Sequence, residues 1–238
     1  MILTVRAGFV SRWVPNRRWI AALVMFAIGS FAVGQANAIL IISGAKPGVV
    51  TPKIGNAASL GTGLVTIARN SAWQVNNPLG RGAVWVSNAD TGQGGSLFQP
   101  KVLTSGGNAD LDVIFKITES FTITSSGHID FTVWADDTAR IFFDGGLLIN
   151  PNFNTGTCAA GVISCQPDMF FNFSRNIAAG THSIDIDTYQ TGSNLTTITN
   201  PFGVLYSGEV TVPEPTTLLL MGMGLAGLGF LRRSRTTA

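Results

Sequence analysis

Residues 128–145 read HIDFTVWADDTARIFFDG. In the first half Ile129, Phe131 and Val133 recur at every second position, so they share one face of an extended chain. The pair Asp136-Asp137 then falls in a turn. A second alternating run, ARIFFDG, follows at 139–145, and Asp144-Gly145-Gly146 turns the chain again. Four more short runs repeat the pattern: DVIFKIT at 112–118, MFFNFSRNI at 169–177, HSIDIDTY at 182–189 and FGVLYSGEV at 202–210. Gly, Asn, Asp, Ser and Thr fill the gaps, and no long segment has a period of 3.6. Short strands rich in β-branched and aromatic residues predict an all-β fold, an antiparallel β-sandwich over 70–211. Residues 39–69 are expected to form an N-terminal arm with the first strand or strands, loose over the Gly/Ala/Ser/Pro-rich part at 43–63.

The two ends read differently. The chain carries a net charge of +2, but residues 39–212 hold eight basic against twelve acidic side chains, so the positive balance belongs to the ends. A domain of that sign has no electrostatic reason to bind nucleic acid. At the N-terminus Arg17-Arg18 precede an apolar run at 19–34, and Ala36-Asn37-Ala38 fits a small-x-small cleavage site. Residues 1–38 are thus expected to be a signal peptide, helical in its apolar part and cut by signal peptidase after Ala38. An uncleaved anchor is the alternative. The basic leader is long, which leaves the true start codon open.

At the other end, Pro213-Glu214-Pro215 precede sixteen uncharged residues at 216–231, closed by Arg232-Arg233 and then Arg235. As a helix this run would measure about 24 Å, somewhat short of the roughly 30 Å hydrocarbon core, with the arginines as a stop-transfer flank in the inner membrane. Gly222, Gly224 and Gly227 spell a nominal G-x-G-x-x-G, but no strand-helix unit surrounds it, which excludes a dinucleotide site. The order Pro-Glu-Pro, apolar helix, Arg-Arg resembles the PEP-CTERM sorting signal of exported Gram-negative proteins. That resemblance implies that residues 212–238 are a sorting signal with a transmembrane helix at 216–231. It also implies that an exosortase recognises Pro213, Glu214 and Pro215 and releases or transfers the protein to the cell surface or matrix.

Export gives the cysteines a meaning. Cys158 and Cys165 are the two cysteines of the chain, and in an oxidising compartment so close a pair predicts a loop-closing disulfide. A zinc site is the competing reading: zinc wants four ligands, and His128 and His182 are the only histidines that could add to the two cysteines.

Residues 70–210 further resemble a jelly-roll, galactose-binding-like domain recurrent among PEP-CTERM proteins. The piece ADDTARIFFDG is similar to the Asp-Asp turn of the protective-antigen-type adhesin domain, whose sugar-binding members hold a Ca²⁺ on adjacent aspartates. The resemblance makes Asp136 and Asp137 candidate Ca²⁺ ligands, with Asn194 a further oxygen if the loops converge. The alternative is ordinary turn chemistry, each side chain bonding nearby backbone N–H groups. Trp73, Trp85 and Trp134 suit either sugar stacking or, as usual in a sandwich, the core. His128 and His182 stand at strand starts in no hydrolase motif. Asp185 and Asp187 alternate with Ile184 and Ile186, which marks a solvent face rather than an acid/base pair. The expected protein is an exported, non-enzymatic surface or matrix component that binds glycan, its producer's exopolysaccharide foremost. A purely structural surface protein and a glycan hydrolase are the alternatives.

Overall fold

The computed structural model describes residues 37–53, 62–97, 107–153, 163–191, 196–213 and 222–229. The chain divides into two units, Ala36–Pro213 and the two ends Met1–Gln35 with Glu214–Ala238. The first unit contains eleven strands among its described residues: β1 (Asn37–Ile42), β2 (Val50–Pro52), β3 (Val65–Thr66), β4 (Val86–Ser87), β5 (Phe115–Ile123), β6 (Gly127–Asp136), β7 (Thr138–Phe143), β8 (Gly146–Ile149), β9 (Phe171–Ile177), β10 (Gly180–Tyr189) and β11 (Gly203–Val212). Every pairing between them is antiparallel.

They form two sheets. One runs β3-β4-β11-β6-β9, with β1 also on β11, and the other runs β2-β5-β10-β7-β8. Without the short β2, β3 and β4, the orders are β1-β11-β6-β9 and β5-β10-β7-β8. The last strands thus lie between much earlier ones, and the chain crosses from sheet to sheet. That interleaving is the jelly-roll order, in which distant segments close the sandwich.

Period-two patterning accounts for the packing. Phe115 and Ile117 of β5, Ile129, Phe131 and Val133 of β6, and Ile184 and Ile186 of β10 all point between the sheets and are buried. Each such side chain gains about 1.5–3 kcal/mol from leaving water. Gly208 in β11 leaves room for this core, since a Cβ there would come within 2.6 Å of the Phe131 ring. A second, smaller core covers the outer face of the six-stranded sheet. Trp134 and Leu205 point away from the main core and meet Ile67, Trp73, Ala83, Trp85 and Cys165. The Trp73 and Trp85 rings lie 4.3 Å apart, and the Trp85 indole N–H donates to the Gln74 carbonyl at 2.7 Å.

The six anticipated runs became β5, β6, β7, β9, β10 and β11. The sandwich also takes in residues before 70, because β1 pairs along β11, β2 along β5, and Lys46 bridges to Leu64. The expected Asp136-Asp137 hairpin turn is corrected: β6 and β7 belong to different sheets, so the pair sits at a crossover. The true hairpin is β7–β8, whose two-residue turn has positive φ at Asp144 (50°) and Gly145 (75°), the form that matches strand twist. In the second unit the described residues form a helix at 222–229, half the run expected at 216–231. No helix among the described residues is long and apolar enough to cross a membrane. The expected signal peptide through residue 36, Glu214, Pro215, Arg232, Arg233 and Cys158 lie outside the described residues. Cys165 is fully buried and is not a free thiol.

Candidate functional site

Asp136 is the last residue of β6, opposite Gly203 at the start of β11. Asp137 is the single residue between β6 and β7, joined to Asp136 by a cis peptide bond. A link this short gives the carboxylates no room to turn outward, and they are only 5% and 7% exposed. Their partners are distant in sequence. The Thr191 amide donates to Asp137 Oδ2 at 2.6 Å, and the Asp137 amide donates to the Tyr189 carbonyl at 3.3 Å. The local turn chemistry anticipated for this pair is therefore not what holds it.

Burial pushes the Asp136 carboxyl well above the usual carboxylate range, and the neighbouring Asp137 charge and hydrogen bond push it further. Burial raises Asp137 too, while its bonds to Asp136 and Thr191 draw it back. Two neighbouring carboxylates taken out of water repel each other strongly. A single proton kept on Asp136 and shared with Asp137 relieves that repulsion. A cation in the proton's place would do the same.

The surroundings favour oxygen ligands. Gln190 precedes Thr191 and is 1% exposed, and its Nε2 donates to the Asn200 carbonyl at 3.0 Å. Its Oε1 is buried without a hydrogen-bond partner among the described residues, and so is the Ser164 hydroxyl. The Ser164 carbonyl accepts from Ala135, next to Asp136, at 3.1 Å. Leaving such atoms unpaired is costly. Among the described residues no third acid or histidine joins the two aspartates. Asn194 lies outside the described residues.

The remaining candidates are structural. Trp73, Trp85 and Trp134 are 2%, 0% and 3% exposed and belong to the second core. His128 bonds Asn176 and Ser174 across β6 and β9. His182 bonds Asp144 and the Ala178 carbonyl. Asp185 and Asp187 lie on the outer face of the five-stranded sheet, as expected, but in ion pairs. Asp185 holds Lys116 at 2.9 Å, and Asp187 holds Arg140 at 2.8 Å. With Lys53, Asp110 and Phe142 these four line a shallow concavity of about 350 Å³. One buried cluster was not anticipated. Glu119 points inward from β5 and accepts from Lys46 Nζ at 2.6 Å and from the Tyr206 hydroxyl. Its inward parity with Phe115 and Ile117 was visible in the sequence, though its charge argued the other way.

Beyond β11 the chain carries a known signal. Residues 211–234 match the PEP-CTERM protein-sorting motif. The match begins at Thr211, inside β11, and runs through Arg232 and Arg233. A PEP-CTERM motif marks the chain for export to the cell surface or beyond. No curated protein matches the chain in sequence. Among solved structures, a family 35 carbohydrate-binding module from Clostridium thermocellum is similar over 72% of this chain and 97% of its own, at 11% identity and a TM-score of 0.32. A GH26-CBM35 β-(1,4)-mannanase from Podospora anserina aligns over 76% of this chain, at 12% identity and a TM-score of 0.32. A β-glucosidase from Kluyveromyces marxianus aligns over 40%, at 10% identity and a TM-score of 0.28. The chain spans 29% of the mannanase and 11% of the β-glucosidase. Likenesses of this degree assign no ligand to this chain.

Proposed function

We propose that the chain is an exported, non-enzymatic surface or matrix protein whose sandwich binds glycan through a Ca²⁺ ion held by Asp136 and Asp137. The PEP-CTERM motif supports export, with residues 1–38 lost to signal peptidase and an exosortase acting at Pro213-Glu214-Pro215. The observation that carries the binding reading is the buried, adjacent carboxyl pair Asp136-Asp137, whose like charges a cation would neutralise. Ca²⁺ takes six to eight oxygens, from carboxylates, amide carbonyls and water. Asp136 and Asp137 would supply the charge, and Gln190 and Asn194 have side-chain amide oxygens of the right kind. The ion would bring a Lewis-acidic centre for vicinal hydroxyls of a sugar. Asp137 keeps its Thr191 bond and stays oriented, while Asp136 gives up its proton.

Calorimetry of the mature exported protein with the producer's purified exopolysaccharide tests this, with Ca²⁺ and with a chelator. Binding with Ca²⁺ that disappears with chelator supports the reading. Binding indifferent to Ca²⁺ keeps the glycan and removes the aspartates from the mechanism. No heat in either condition favours a structural surface protein, the reading that the wholly buried tryptophans support.

A further inference from the structure

The outer face of the five-stranded sheet carries its charges in register. Lys116 of β5, Asp187 of β10 and Arg140 of β7 stand side by side, and the next row holds Thr118, Asp185 and Phe142. Arg140 Nε and Nη2 donate to Asp187 Oδ2 at 3.0 and 2.8 Å, and Nη1 donates to Asp110 Oδ1 at 2.7 Å. The Arg140 guanidinium also lies 5.0 Å from the centre of the Phe142 ring. Lys116 Nζ lies 2.9 Å from Asp185 Oδ2, and the Thr118 hydroxyl donates to Asp185 Oδ1 at 2.7 Å. The rim is fixed as well. The Asn108 side-chain oxygen accepts from the Asp110 and Leu111 amides, and the Tyr189 hydroxyl donates to the Ala109 carbonyl at 2.6 Å. The concavity of about 350 Å³ that these groups line is thus formed before any ligand arrives. Its size falls at the small end of ligand pockets.

One lining cation is unmatched. Lys53 follows β2, is exposed, and makes no ion pair among the described residues. With it, the lining sets Lys53, Lys116 and Arg140 against Asp110, Asp185 and Asp187, a sum of zero. A polyanion or a bare phosphate gains little from so balanced a field. A ligand with one negative group for Lys53 and hydroxyls elsewhere gains more. Hydroxyls both donate and accept, and the lining offers both functions. Lys116 spends one of its three donors on Asp185, and Asp110, held through one oxygen, is 84% exposed. Apolar surface lies alongside: Phe142 in the lining, Leu147 opposite it on β8, and the exposed Leu111 on the rim. We propose that this concavity binds one acidic sugar unit, its carboxylate on the Lys53 ammonium and its hydroxyls between Lys116 and Asp110. The inference deepens the glycan reading above but not its cation, since neither Asp136 nor Asp137 lines the concavity.

The test is two-dimensional NMR of the mature exported protein in chelator. It is titrated with the methyl glycoside of a hexuronic acid and with that of the matching neutral hexose. Chelator silences the proposed cation site, so a failure here is distinct from a failure of Ca²⁺-dependent binding. Amide shifts should cluster at 110–118, 140–142 and 185–187. The uronate should bind about tenfold more tightly than the neutral sugar, the effect of one hydrogen bond between charged groups. Lys53→Ala should erase that preference and leave the unfolding midpoint unchanged, because Lys53 has no ion pair to lose. Equal affinity for the two sugars overturns the proposal, and so does a preference that survives Lys53→Ala. Shifts absent with both sugars, or confined to residues around Asp136 and Asp137, overturn it too. Inorganic phosphate binding as tightly as the uronate would reduce the concavity to a simple anion site and overturn the sugar assignment.

Discussion

Asp136 sits folded at a cost that pH and cation should both reveal. Its carboxyl titrates above its unfolded value near 3.8, chiefly because it is buried and next because Asp137 is beside it. In the absence of cation the folded chain therefore keeps a proton that the unfolded chain loses. The stabilising effect of that proton is fully present below about pH 3.8 and is lost as pH rises through the folded value. Ca²⁺ in the proton's place should flatten this slope. In chelator at neutral pH, Asp136→Asn should raise stability by about 1–2 kcal/mol, since it removes the cost of burying a carboxyl that is ionised when unfolded, while abolishing any Ca²⁺-dependent rise. Denaturant unfolding at pH 5 and 7.5, with Ca²⁺ and with chelator, measures all of this. Wild-type stability indifferent to Ca²⁺ would contradict it. Tyr206 makes a simpler case. Its hydroxyl donates to Glu119, an inward-facing carboxylate that also holds Lys46. Tyr206→Phe leaves that oxygen one donor short, so unfolding should show a loss of about 1–2 kcal/mol. An unchanged midpoint would mean that water replaces the hydroxyl.

Between elements, the His182 ring joins the β7–β8 turn to the β9–β10 crossover. Nδ1 lies 2.8 Å from Asp144 Oδ2 and Nε2 lies 2.9 Å from the Ala178 carbonyl. Both partners only accept, so the arrangement favours the doubly protonated ring. The Asp144 hydrogen bond is the main cause of its raised pKa. The latch is fully present below the unfolded value near 6.5 and is lost as pH rises through the folded one. Asp144 is 41% exposed, so solvent screening limits the coupling to about 0.5–1 kcal/mol. A double-mutant cycle of His182→Ala and Asp144→Ala should find that coupling at pH 5.5 and none at pH 9. Equal coupling at both would show that the charge does no work.

The same elements show how far the sequence could be read. β6 and β10 were legible because each buries one face, which imprints Ile129-Phe131-Val133 and Ile184-Ile186 at every second position. β2, β3 and β4 span two or three residues, too short for any period, and their existence depends on long-range partners. The turn residues Asp136-Asp137 have the same composition whether the next strand stays in the sheet or crosses over. Closing a jelly roll is a non-local event that they do not record.

At the scale of the molecule, β11 runs from the proposed cation site to the sorting motif. Gly203 lies opposite Asp136 and Val212 opposite Asn37, so the carboxyl pair and the sorting motif are separated by about 30 Å of extended strand. Whatever holds the protein at Pro213 leaves the proposed glycan site at the far end of the sandwich. If Cys158 and Cys165 join, a ring this short should add about 2–3 kcal/mol by loop entropy. Thiol labelling of the exported protein under denaturing, non-reducing conditions should then find none, and two labels per chain would refute the bond. The most direct measurement of the cation site is calorimetric titration of Ca²⁺ into the mature exported protein in two buffers of different ionisation enthalpy. One ion should bind with release of protons, and Asp136→Asn should abolish both. Absent binding, or binding that releases no proton and survives Asp136→Asn, would contradict the assignment of Ca²⁺ to Asp136 and Asp137.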